Sequence, residues 1–193
     1  MFRSAKFFLS VQFLLIITCT LTASEFHVDK SRKNLVKFIS DAKIETFDGT
    51  TDKIDGYFYW DGNDLLSKST LYLEVDLRTI DTGIGLRNRH MRENYLETDK
   101  YPMAVFKGKL IRADQQQGGA YDVTAQGDMT IHGVTKPITV KGTLTPSEAG
   151  GYRISSRFEL KLPDYNIPVP QMMFLKISEV MKMELDFFTK KIK

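Results

Sequence analysis

From Tyr121 to Leu144 apolar and polar residues alternate along the chain. Tyr121, Val123, Ala125, Gly127, Met129 and Ile131 are set against Asp122, Thr124, Gln126, Asp128, Thr130 and His132. The alternation resumes at Ile138, Val140, Gly142 and Leu144. Successive side chains of a strand point to opposite faces, so this stretch predicts two strands, each apolar on one side. The break from His132 to Pro137, with Gly133 inside it, predicts a hairpin turn. The same pattern recurs and predicts eight strands. The first spans roughly Asn34 to Phe47. The second carries Ile54, Gly56, Phe58 and Trp60 on one face, and the third Leu71, Leu73, Val75 and Leu77. The fourth has Ala104, Phe106, Gly108 and Leu110. The fifth and sixth are the pair just described. The seventh runs from Tyr152 to Leu162, and the eighth carries Met181, Met183, Leu185 and Phe187. Asp61-Gly62-Asn63, Gln117-Gly118-Gly119 and Ala149-Gly150-Gly151 supply turns.

Two connections are longer. Between Ile80 and Lys100, the segment Leu86–Leu96 has high helix propensity and stops before Tyr101-Pro102, which predicts one or two helical turns. From Pro163 to Ile177, Pro163, Pro168 and Pro170 stiffen a loop, with a short helix expected near Gln171–Leu175. Long loops in compact domains often act as lids or binding loops.

One-faced strands of this kind close into an up-and-down barrel, which removes exposed edges. The expected fold is therefore all-β, an eight-stranded antiparallel barrel with a short helix between strands three and four. Such a barrel is either filled by its own side chains or holds one small ligand. Candidate wall residues are Phe38, Phe58, Trp60, Leu73, Val75, Phe106, Gly108, Gly127, Met129, Phe158, Leu160, Met181 and Met183. Flexible Met and flat aromatic side chains suit a long, variable apolar chain. The glycines on apolar faces admit two readings: they leave a hollow, or they let the strands coil tightly.

The first residues change the picture of where the chain works. Arg3 and Lys6 precede the mostly apolar Phe7–Ile17, and Thr22-Ala23-Ser24 offers small residues for cleavage. This predicts a signal peptide over 1–23 and a single domain over 24–193, exported from the cytoplasm. The one cysteine, Cys19, lies in that leader. Ile16-Ile17-Thr18-Cys19 loosely matches a lipoprotein signal, so a chain anchored through Cys19 is the alternative. Loss of Arg3 and Lys6 takes the 27 basic residues to 25 against 24 acidic ones, a net charge of +1. Basic and acidic residues are interspersed, which argues against nucleic-acid binding. The cluster Lys190, Lys191 and Lys193 reads as a solvated tail.

Candidate chemistry is sparse. His27, His90 and His132 are far apart, with no zinc spacing, and His132 is expected to bond locally within its turn. Gly-x-Ser-x-Gly and phosphate-cradling glycine loops are absent from the sequence. Asp61-Gly62-Asn63-Asp64 lacks the spacing of a calcium loop. No enzyme activity, metal or cofactor is expected. The concentrated cations Arg87, Arg89, His90 and Arg92 either meet a ligand's polar head or pin their loop through Glu93, Glu97 and Asp99.

Several stretches together carry a resemblance. They are Phe26-His27-Val28-Asp29, Gly56-Tyr57-Phe58, Ile80-Asp81-Thr82-Gly83 with Leu86–Met91, Tyr101-Pro102 with Phe106, and Met129–Pro137. In content and order they resemble the YceI-like, polyisoprenoid-binding family across essentially the whole processed chain. One departure stands at Leu162-Pro163-Asp164-Tyr165-Asn166-Ile167, where that family usually carries Arg and Gly around an Asp-Phe-Gly-like segment. The resemblance implies a lipocalin-like barrel in a bacterial periplasm, enclosing a long-chain isoprenoid, quinone or fatty amphiphile without catalysis. Arg87, Arg89 and His90 would meet its head group. Such a carrier would touch membranes transiently, and a homodimer is compatible with it. The alternative is a structural or surface interaction protein whose barrel is filled by side chains.

Overall fold

The computed structural model describes residues 24–41, 46–60, 64–66, 68–148, 150–172 and 175–192. The expected leader, Cys19, and the turn residues Asp61-Gly62-Asn63 and Ala149 lie outside them. Among the described residues twelve strands form: β1 (Ser24–Val28), β2 (Leu35–Asp41), β3 (Thr46–Thr51), β4 (Ile54–Trp60), β5 (Thr70–Asp76), β6 (Met103–Gln115), β7 (Tyr121–Ile131), β8 (Val134–Pro146), β9 (Tyr152–Lys161), β10 (Gln171–Met172), β11 (Leu175–Lys176) and β12 (Val180–Lys191).

Ten of these make one antiparallel sheet in the order β1-β4-β5-β6-β7-β8-β9-β12-β2-β3. A further pairing of β1 with β12 closes it. β12 therefore has two neighbours on one side. Its start pairs with β2, Met181 opposite Ser40, and its end with β1, Val28 opposite Thr189. β3 pairs with β2 and β4 with β1. The pairs β1/β2 and β3/β4 thus act as two broken staves, and the wall is a closed eight-stranded antiparallel barrel. A strand was expected over 34–47, but the early chain forms β1, β2 and β3 instead. Consequently the short helix α1 (Gly85–His90), with a π turn over Met91–Tyr95, connects the fifth and sixth strands rather than the third and fourth.

Two other expectations give way. Around Gln171–Leu175 the chain forms the small hairpin β10–β11 rather than a helix. Lys190 and Lys191 are solvated as expected, but they stand in β12 opposite His27 and Phe26 rather than in a tail, and Lys193 lies outside the described residues.

One end of the barrel is filled. Phe26, which β1 supplies, stacks on Phe58 and Trp60 with ring centroids 4.8 Å away in each case. Tyr152 meets Phe26 edge-on at 5.4 Å. Leu65, Leu110, Val123, Ala125 and Leu144 complete this floor. The other end carries α1, the His132–Gly133 turn, and the loop after β9. That turn has φ of 51° and 73°, positive at both positions as a two-residue type I′ hairpin requires.

Candidate functional site

Above the aromatic floor the barrel encloses a cavity of about 650 Å³. Its wall is almost wholly apolar. Of the candidate wall residues, Phe38, Phe58, Leu73, Val75, Phe106, Met129, Phe158, Leu160, Met181 and Met183 line it. Their strands place them there because each sits on the inward face of β2, β4, β5, β6, β7, β9 or β12.

Three expected wall residues are elsewhere. Trp60 is 6 % exposed but belongs to the floor, where it is covered by the Phe26 ring. Gly108 and Gly127 stand directly opposite each other across β6 and β7. A Cβ on Gly127 would lie 2.2 Å from the Lys107 carbonyl oxygen, and one on Gly108 2.6 Å from that of Gln126. These glycines serve close strand approach and coiling, the second of the two readings. Gly142 does border the cavity, and there too a Cβ would meet a backbone oxygen, that of Ser155, at 2.7 Å.

The mouth is roofed by two connections. The first runs from Leu77 to Pro102. Leu77, Ile80, Met91, Tyr95 and Leu96 face the cavity, while Ile84 and Leu86 at its edge are 50 % and 55 % exposed. The second starts with a 3₁₀ turn, Leu162–Tyr165, whose Tyr165 and the following Ile167 are each 4 % exposed. Burial raises the Tyr165 hydroxyl above its ordinary value, so it stays neutral at working pH.

The cations at the mouth do three different things. Arg87 donates from Nε to the Thr82 hydroxyl (3.0 Å) and from NH2 to the Thr82 carbonyl (2.9 Å). Its guanidinium lies 4.4 Å over the Phe47 ring. Arg92 donates to the Arg78 carbonyl at 2.8 Å. Arg89 is exposed and lies off the cavity wall, whereas His90 and Arg87 border it. Arg87 and Arg92 therefore hold their segment through backbone and hydroxyl oxygens, not through Glu93 and Asp99 as the charge spacing suggested. Asn88 completes the anchor: its Oδ1 accepts from Thr82 N–H (2.8 Å), and its Nδ2 donates to Asp81 (2.7 Å). Asp81 in turn exchanges two 2.9 Å backbone bonds with Thr50. The Asn88 hydrogen bond, then the Gly83 N–H, hold the Asp81 carboxyl below its ordinary value.

His132 has a wider role than a local turn bond. Its Nδ1 lies 3.2 Å from the Tyr165 carbonyl oxygen, and its Nε2 lies 3.0 Å from Glu97 Oε2. Tyr101 packs edge-on against the ring at 4.8 Å. One residue of the β7–β8 turn thus ties both roof connections together. Among the described residues, no group of three or more His, Cys, Asp or Glu side chains could hold a metal ion. No described helix is long and apolar enough to cross a membrane.

Sequence reasoning missed β1, Tyr165 and Ile167. The signal for β1 was the Phe26/Val28 alternation, cut short by Asp29. For Tyr165 and Ile167 the prolines spoke for loop and concealed how deeply that loop packs.

Comparison with known proteins agrees with this geometry. The sequence model of the YceI-like domain matches residues 26–188. Protein YceI of Shigella flexneri is 31 % identical over 153 residues, 75 % of this chain and 77 % of that protein. Protein YceI of Salmonella newport is 30 % identical over 162 residues, covering 80 % and 82 %. Among solved structures, Burkholderia cenocepacia BcnA superposes with a TM-score of 0.68 at 18 % identity, covering 83 % of this chain and 98 % of that one. A polyisoprenoid binding domain from Saccharophagus degradans, implicated in plant cell wall breakdown, gives 0.63 at 20 % identity, covering 88 % and 98 %.

Proposed function

We propose, from the premise that this chain belongs to the YceI-like family, that it is a non-enzymatic carrier that encloses the apolar tail of a long-chain lipid. The observation that carries this reading is the 650 Å³ apolar cavity, left open above a packed floor. That volume is within the range of small-molecule sites. Each methylene moved from water into such a wall contributes about 0.8 kcal/mol, so a tail of modest length supplies useful affinity without polar contacts. The solved polyisoprenoid binding domain with the same fold supports an isoprenoid or quinone tail, with a fatty chain as the nearest variant. Binding, not catalysis, fits the titratable groups at the mouth, since Arg87, Glu97 and His132 are each committed to partners that hold the roof.

The charged, apolar, then small-residue order of the leader supports delivery to the periplasm, where a lipid tail needs shielding from water. Exposed Ile84 and Leu86 beside the mouth would meet a membrane surface briefly during transfer. Native mass spectrometry of the protein purified from its own host tests the reading. The expected result is a protein peak heavier than the polypeptide by the mass of a lipid, lost on organic extraction. A protein that is unliganded from the host and takes up no added long-chain lipid overturns it.

A further inference from the structure

The barrel wall is not laddered all the way round. β8 and β9 pair only from Gly142 with Ser156 to Pro146 with Tyr152. Beyond that point β8 continues from Lys141 back to Val134, paired on its other side with β7. β9 continues from Arg157 to Lys161, paired on its other side with β12. The facing edges of these segments have no ladder between them. Ser156 marks the end of pairing by donating its hydroxyl to the Lys141 carbonyl oxygen (2.7 Å). Pro137, which has no N–H to give, sits within the open part of β8, as proline does at strand edges.

Two lysines flank this cleft. Counting on from Gly142 opposite Ser156 would put Pro137 across from Lys161, so Lys141 stands at the lower end and Lys161 at the upper end. Both border the cavity, both are exposed, and neither has an ion-pair partner among the described residues. The nearby Arg157 is already paired with Glu184 at 3.1 Å. At the mouth, by contrast, Arg87 is tied to Thr82 and Arg89 is off the wall.

We propose that the cleft between β8 and β9 is a side portal where Lys141 and Lys161 bind the anionic oxygen head, a phosphate or carboxylate, of a lipid whose tail fills the barrel. This rests on the lipid-carrier reading. The mouth is roofed, whereas the wall lacks a ladder between β8 and β9 where Lys141 and Lys161 border the same cavity. A charge-assisted contact at a half-wet site contributes about tenfold in affinity.

The test compares dodecyl phosphate with dodecanol by displacement of a fluorescent fatty probe, using the full processed protein. The wild type is expected to bind both, the phosphate about tenfold tighter. In Lys141→Ala/Lys161→Ala that advantage disappears while dodecanol binding is unchanged. Lys141→Glu/Lys161→Glu is expected to favour dodecyltrimethylammonium over dodecyl phosphate. Arg87→Ala keeps the phosphate advantage. Inorganic phosphate at the same concentration displaces nothing, because the tail supplies most of the affinity.

If the wild type binds neither amphiphile, the carrier reading itself fails. If it binds both but the double alanine variant keeps its phosphate advantage, the portal fails alone. Aggregation of that variant with its preference intact would mean that the lysines guard an open sheet edge instead. Displacement by inorganic phosphate would mean a free-anion site, and would overturn the proposal too.

Discussion

At the scale of single residues, what a glycine does is set by its neighbours across the sheet. Gly127 was legible as an inward position but not as an absent one. The register that puts it against Gly108 is set by pairing, not by its own sequence context. With 2.2 Å between a Cβ and the Lys107 carbonyl oxygen, Gly127→Ala must push β6 and β7 apart. Overpacking of this kind costs about 1–3 kcal/mol. Urea unfolding of the variant should show that loss, with the affinity for an apolar probe falling only as far as the folded fraction does. The same reasoning separates Trp60 from the wall residues. Alternation gave its face correctly, and only the arrival of Phe26 from a distant strand decided that it lies beneath the cavity.

Among elements, the strands were the readable part and the roof was not. From β4 through β9, and in β12, periodicity of two is enough to give the element and its inward face, because one side of the strand meets oil and the other water. The connections have no such rule. Glu93 and Asp99 looked like partners for the arginines by spacing on a helix. The helix instead breaks into a π turn after His90, and hydroxyl and carbonyl oxygens take the guanidinium groups. Nor does any local pattern announce that His132 bonds residues 33 and 35 positions away in the chain. His132→Asn keeps a residue that tolerates positive φ but is too short to bridge both partners. The expected outcome is faster hydrogen exchange at the Asn166 and Ile167 amides, which bond within the second roof loop. Protection in β7 and β8 should be retained. Equal loosening of both regions would show that His132 supports the whole barrel.

For the molecule as a whole, the roof makes stability depend on acid. The Lys100 hydrogen bond, and next the one with His132, hold the Glu97 carboxyl below its ordinary value of 4.5. A depressed carboxylate favours the folded state fully above that value, and the gain is lost as pH falls through it toward the lower folded value. Asp41, held low by Lys182, and Asp29, held low chiefly by Ser31, act in the same direction. The melting temperature should therefore fall as pH is lowered from neutrality through the carboxylate range. Glu97→Gln should show a shallower fall than the wild type, with a lower starting point at neutral pH.

The double neighbourhood of β12 has a temporal consequence. This strand meets β1 and β2 on one side and β9 on the other, and it is the last of the described strands in the chain. Until it arrives, β9 and both early strands present bare hydrogen-bonding edges, and the circle is an open ribbon. Its partners in β1 and β2 lie some 150 residues back along the chain, so the loop that must close spans nearly all of the barrel's strands. Contacts of that span form late and slowly, on the order of milliseconds to seconds. Before β12 docks, the remaining strands can form at most a ribbon, and its docking is the step that turns the ribbon into a vessel.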